Sequence, residues 1–450
     1  MAHASGLQFT LSLPGGEDVA VIDFTHREAL SAPFELGVTL ASQSPDISPA
    51  DVLDHQATLT VWEDGEPLRR VHGMVSEFGR GDRGHRRTCY TLVIRPALWR
   101  LDLRHNSRIF QDVLPQDILA TLCAERGLTD VAFALTREPA EREYCVQYRE
   151  TDLAFVERLA AEEGLVYLHE FENAEGGAHR LVFVDASQVL PNVGERTYHG
   201  RAGGTPPRRH VRKLTQVSRV RPAAVTLKDY TFRNPAYDQL HEHPAPDLGE
   251  HAQRDDYEHY DYPGRYKADA SGSAFTRIRL EALRRQALTA EAESDLPELA
   301  PGICFTLADH DIDALNRDWQ VVAVVHHGEQ PQALEEDAVG ADGRTRYFNE
   351  LVLAPADRAW RPEPPVRPRV DGPQVAVVVG PEGEEIHCDE HGRVKVQFPW
   401  DRYAEPNETA SAWLRVSQGW AGGGYGAMAI PRIGHEVIVS FLEGDPDQPL

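Results

Sequence analysis

The stretch "GPQVAVVVGPEGEEIHCDEHGRVKVQFPWDR" runs from Gly372 to Arg402. Within it Val394, Val396 and Phe398 alternate with Arg393, Lys395 and Gln397, the period of two that puts one side of a strand in a core and the other in water. Similar short runs appear at "QVAVVVG", "AWLRVSQ", "GAMAI" and "HEVIVSF", which makes five between Gln374 and Phe441. That count predicts a small closed barrel over residues 374–450.

The second half of this region, "SQGWAGGGYGAMAIPRIGHEVIVSF" (Ser417 to Phe441), places five glycines between Gly419 and Gly426. Gly422, Gly424 and Ala427 match the spacing of a dinucleotide-binding turn, but such a turn must open a helix whose amides face the pyrophosphate. Here Pro431 and an Ile/Val run follow instead. The expectation is a structural barrel loop in which Gly422, Gly423, Gly424 and Gly434 permit tight bends while Trp420 and Tyr425 pack against the barrel corner.

Working back toward the N-terminus, "APADRAWRPEPPVRPRVDGP" carries six prolines, which disfavours helix and central strand alike and marks a linker at residues 354–373. Before it, "DWQVVAVVHH" reads as a strand and "SAFTRIRLEALRRQALTAEAES" as one long helix. The polar stretch from about Gly200 to Pro263 reads as an inserted, loop-rich subdomain. "LVYLHEF" and "LVFVD" predict a hairpin, and a helix begins after Thr151 with Leu153, Val156, Leu159 and Ala160 inside, Glu157 and Arg158 outside, and Gly164 as its stop. A further helix is predicted from Gln116 to Arg126 with Gly127 after it. The first hundred residues alternate as antiparallel strands at "LQFTLSL", "FELGVTL", "ATLTVW" and "YTLVIRP". The fold class is therefore mainly β with α+β subdomains, in a chain of 450 residues that exceeds one core.

A net charge of −25 repels phosphate polymers and argues against a nucleic-acid partner. Five scattered cysteines without a CxxC pair fit reduced thiols better than a disulfide framework. The start "MAHASGLQFTLSL" lacks the pattern of a signal peptide, and the expectation is assembly in the cytoplasm, with any exit by a route other than a Sec signal.

The catalytic motifs fail on context. His435-Glu436 opens like a zinc-protease helix, yet the position for the second histidine is Val439. "HCDEHGR" (His387 to Arg393) concentrates ligand-type side chains at a turn between strands. Ser417 has Arg415, not glycine, two residues before it, so no nucleophile elbow forms. "HEHPAPDLGEH" offers weak metal candidates: His241 and His243 face one way if extended, with Asp247 and His251 nearby. No catalytic residue and no cofactor are expected.

The stretch after Gly372 closely resembles the VgrG spike proteins of bacterial type VI secretion systems, and so do "YCVQYRETDLAFVERLAAEEG", "YPGRY" (Tyr262 to Tyr266) and "LAPGICFTL" (Leu299 to Leu307). The resemblance implies a hub like that of contractile phage tails over residues 1–353, with two barrel-like subdomains and an inserted α/β subdomain, and an OB-fold spike base over 374–450. It further implies a homotrimer seated on the hexameric Hcp tube, contacts with baseplate proteins, carriage of effectors or adaptors, and secretion or delivery into target cells by the apparatus. Family members continue into a β-helix needle capped by a PAAR-repeat protein. This chain stops at Leu450, so needle and tip are expected to lie outside it. The alternatives are a cell-wall hydrolase type of tail spike and the spike of an extracellular contractile particle.

Overall fold

The computed structural model describes residues 6–174, 177–200, 208–249, 253–334, 344–411 and 413–450. It divides into two compact units, one of residues 1–99, 128–138 and 161–363, the other of residues 100–127, 139–160 and 364–450.

The first unit is built on a twelve-stranded sheet. One half orders the strands Leu7–Ser12, Gln56–Glu63, Glu66–Arg83, Thr88–Arg95, Ala32–Ser42 and Val19–Ala29, all antiparallel. The predicted alternation holds: Phe9, Leu36, Leu40, Leu59 and Ile94 point into one core. The other half runs through Asp318–Glu329, Arg346–Pro355, Leu288–Ser294 and Val211–Ser218, with Cys304–Ala308 and Asn192–Thr197 on a side branch. Its core centres on Trp319, Phe305, Val321 and Leu353, each fully buried. Burial of one such side chain contributes about 1.5–3 kcal/mol.

The two halves meet where Val19–Ala29 pairs with Asp318–Glu329, so that His26 lies directly opposite His326. At this seam a Cβ on Gly328 would come within 2.1 Å of the Phe24 ring, so only glycine fits.

Two smaller sheets complete the unit. Val166–Phe171 and His179–Val184 form the predicted hairpin, joined in parallel by Val131–Ala134. The inserted subdomain orders Gln239–Pro244, Ala224–Asp229 and Glu258–Asp261, with the helix Asp269–Arg284 packed on one face through Val225, Leu227, Tyr266 and Leu280.

Two expectations are corrected. The single long helix ends at Arg284, and Leu288–Ser294 is a strand. Ala and Glu favour helix locally, but Leu288, Ala290 and Ala292 alternate inward with Glu291 and Glu293 outward, and neighbours on both edges capture the segment. Arg158, expected outside its helix, is buried, where it pairs with Glu150 at 2.6 Å and donates to the Val146 carbonyl at 3.0 Å.

In the second unit the strands Lys395–Gln397, Gln374–Val379 and Glu436–Val439 form an antiparallel sheet, extended by a single bridge between Val394 and Leu414. Ala376, Val378, Val396, Phe398 and Val439 fill its core. The helix Pro115–Ala124 buries Ile118, Leu119 and Leu122, and Gly127 adopts φ +76° after it.

The proline-rich segment is anchored rather than loose. Within the first unit Trp360 packs near Leu30 and Val166, Arg358 reaches Asp247 at 2.5 Å, and Arg361 reaches Glu281 at 2.8 Å. Within the second, Arg367 lies 3.2 Å from Asp447, and Arg369 donates to the Glu443 carbonyl at 2.9 Å.

Candidate functional site

The seam carries a buried polar cluster. Strand parity explains it: in "VAVIDFTHREA" the side chains of Phe24, His26 and Glu28 share the inward face, and in "DWQVVAVVHHGE" Val324 and His326 do. Arg69 enters from the strand Glu66–Arg83. It forms a hydrogen-bonded ion pair with the Glu28 carboxylate, and its Nη1 donates to the Pro297 carbonyl at 2.9 Å and to His326 Nε2 at 2.7 Å. With Nε2 accepting, His326 Nδ1 donates to Tyr347 Oη at 2.5 Å. Asn349 Nδ2 donates to that hydroxyl at 3.3 Å and to the Leu296 carbonyl at 2.8 Å.

Burial alone would raise the Glu28 carboxyl, but Arg69 and the adjoining histidines hold it well below the usual carboxylate range. Burial pushes His26 down to about 3. It also holds His326 at about 4, with the Arg69 charge acting in the same direction. Next to the seam, burial sets His169 at about 3 and His179 at about 4. These rings are therefore neutral at pH 7.

Among the described residues, His26, Glu28 and His326 are the one trio whose metal-ligating atoms converge, all within 4.8 Å of one another. The cation there is Arg69. Its guanidinium engages both the Glu28 carboxylate and the lone pair on His326 Nε2 that a metal would need. The cluster is thus a clamp between the halves of the sheet.

Its titration has a definite sign. An unfolded chain binds protons on histidine below about pH 6.5, whereas the folded chain refuses them down to about 3 or 4, so stability is present above 6.5 and lost as pH falls toward 4. Each group costs about 1.4 kcal/mol per pH unit inside that window. The thermal midpoint is expected to be flat above pH 7 and to drop steeply between 6.5 and 4, with a shallower slope for His169→Phe. A pH series of melting curves checks this, and equal slopes would refute it.

The glycine-rich stretch forms a two-stranded hairpin, Trp420–Gly422 with Tyr425–Ala427, turning through Gly423 and Gly424. Gly424 and Gly426 take φ of +83° and +96°, and Gly434 takes +86°. A Cβ on Gly426 would come within 2.5 Å of the Trp420 carbonyl oxygen, and one on Gly422 within 2.3 Å of the Tyr425 ring. Trp420 and Tyr425 do not pack against a barrel corner as expected. They are 69% and 68% exposed, and among the described residues the hairpin strands pair only with each other. The three-stranded sheet also bares apolar surface: Val375 and Ile438 are cross-strand partners on its outer side, with Val377 on the same face.

The histidine candidates lie elsewhere. His241 and His243 sit in the strand Gln239–Pro244 on the side of the helix Asp269–Arg284, and His241 Nε2 is 3.2 Å from Asp269. Asp247 is held by Arg284 at 2.6 Å and by Arg358, and His251 lies outside the described residues. The seam residues His26, Glu28, Arg69 and His326 were not singled out from sequence. The available signal was charge at inward strand positions.

Residues 27–332 match the phage tail baseplate hub family, and residues 376–450 match the type VI secretion system/phage-baseplate injector OB domain. The class is thus a hub joined to an injector OB domain. The chain is 49% identical over 99% of its length to the type VI secretion system spike protein VgrG3 of Vibrio cholerae, and 45% identical over 99% to spike protein VgrG2b of Pseudomonas aeruginosa. It is also 48% identical to the V. cholerae protein named actin cross-linking toxin VgrG1. The chain belongs to the VgrG family of type VI spike proteins. It spans 44%, 43% and 41% of the lengths of these three relatives. Among solved structures, the E. coli c3393 type VI component shares the fold with a TM-score of 0.71 at 21% identity, covering 98% of both chains. The Francisella PdpA-VgrG complex gives 0.62 at 7%, covering 98% of this chain and 77% of that one. The fold is mainly β, of hub and OB type. Among the described residues no helix is long and apolar enough to cross a membrane.

Proposed function

We propose that this chain is the hub and OB base of a type VI secretion spike, working without catalysis as a homotrimer. In this reading residues 1–353 seat on the Hcp tube hexamer and meet baseplate proteins, 354–373 connect, and 374–450 close around the threefold axis beneath a needle. Effectors or adaptors, and a PAAR-repeat tip protein above the needle, are its further partners. It is assembled in the cytoplasm and delivered by the apparatus.

The observation that carries this is the set of exposed apolar side chains on the second unit: Val375, Val377 and Ile438 on the sheet, Trp420 and Tyr425 on the hairpin, and Met428 just after it. Large exposed apolar side chains of this kind mark surfaces that another chain covers. Three copies would bring together three times the −25 of one chain, so the contact between them must be apolar or locally paired, and these side chains are apolar. A solution mass near three times 50.2 kDa is expected. A stable monomer from light scattering at micromolar concentration would reject the trimer for this chain. Release of peptidoglycan fragments by the purified chain would favour the hydrolase alternative.

A further inference from the structure

The inserted subdomain presents a second unpartnered surface, far in sequence from the OB domain. Its helix covers one face of the three-stranded sheet, and the register places Thr226, Lys228, Leu240, Glu242, Glu258 and Tyr260 on the other. On that face Leu240 is 47% and Tyr260 54% exposed, and the adjoining Tyr230 and Tyr262 are 51% and 47% exposed. Tyrosines gathered on a solvent face mark a surface suited to a partner, since each ring carries a large apolar area with a polar tip.

The electrostatics restrict what that is. Lys228, the one basic residue of the face, is held by Asp238 at 2.8 Å, and its pKa is raised first by that carboxylate and further by nearby Tyr260 and Tyr262. Glu258 accepts from Thr226 at 2.5 Å, and Glu242 stands beside it across the central strand. From Ala224 to Tyr262 the sequence has nine acidic and three basic residues, a difference of −6. A second copy would bring the same sign of charge, and a phosphate polymer would be repelled. Arginine suits the surface best: its guanidinium stacks on tyrosine faces and forks onto carboxylates at once.

We infer that this tyrosine and carboxylate face docks an arginine-bearing segment of a different, basic protein. The inference stands independently of the trimer, because no residue of the OB domain enters it.

The test uses the full chain and a fluorescein-labelled twelve-residue peptide of alternating arginine and alanine, followed by anisotropy. Tyr260→Ala and the pair Glu242→Gln/Glu258→Gln are each expected to weaken binding about tenfold. A charge-matched control on the second unit, Glu382→Gln/Glu384→Gln, should change it less than twofold. Hydrogen exchange should slow across residues 239–244 and 258–261 when peptide is added. Equal weakening by the control would overturn the proposal in favour of general acidity, and so would protection confined to other segments. A fall in solution mass on Tyr260→Ala would assign the face to a second copy and likewise overturn it. Should Tyr260→Ala fold poorly, Tyr262→Ala serves in its place with the same expectation.

Discussion

Replacing Arg69 with alanine is expected to lower the unfolding free energy of the hub by about 3–5 kcal/mol. The loss follows from what stays behind. Glu28 has a side chain only 5% exposed, and without the guanidinium its charge sits uncompensated next to His26 and His326. The Pro297 carbonyl and His326 Nε2 lose their donor in the same stroke. Removing both charges together, as Arg69→Met/Glu28→Gln, should cost clearly less than the sum of the single changes, since a buried pair is more expensive to break than to replace. Denaturant melts of the four proteins in that cycle decide it. A single-mutant cost under about 1 kcal/mol would mean that the strand ladder and apolar packing hold the halves of the sheet without the clamp.

Ile438→Asp is expected to abolish the proposed trimer while leaving each protomer folded. At 74% exposure the position tolerates a carboxylate in the isolated chain, so the melting midpoint should barely move. In the proposed assembly the same change would forfeit about 2 kcal/mol of apolar burial per copy and strand a charge at each contact. Three copies multiply the effect, and the solution mass should fall to that of one chain. Trp420→Ala should weaken association less, because it removes area without adding charge. An Ile438→Asp protein that remained trimeric would place the subunit contact elsewhere.

The period-two runs were legible from the residues alone, because a strand with one face in a core leaves its parity in the sequence, as at Phe9 and Leu11 or Val394 and Val396. The helix ends at Gly164 and Gly127 were equally plain, both glycines having the positive φ that a helix stop demands. The strand Leu288–Ser294 was hidden because its Ala and Glu composition favours helix and its strand character comes from partners about 60 to 80 residues away. The seam was hidden for a related reason. His26 and Arg69 look like surface residues until strands from both ends of the hub are laid edge to edge. The turn glycines of the Trp420 to Tyr425 hairpin were readable, but the outward aim of its aromatics was not, since sequence does not say which apolar side chains await a neighbour.

The pairing of Val19–Ala29 with Asp318–Glu329 sets a schedule for biosynthesis. About 300 residues separate His26 from His326, which at roughly 5–20 residues per second leaves the early strand with an open edge for roughly 15 to 60 seconds after it emerges. During that interval the nascent chain displays unpaired amides and carbonyls that another copy on the same message can capture. Faster translation or a holding chaperone at this stage is therefore expected to raise the yield of folded protein without changing the stability of the finished hub.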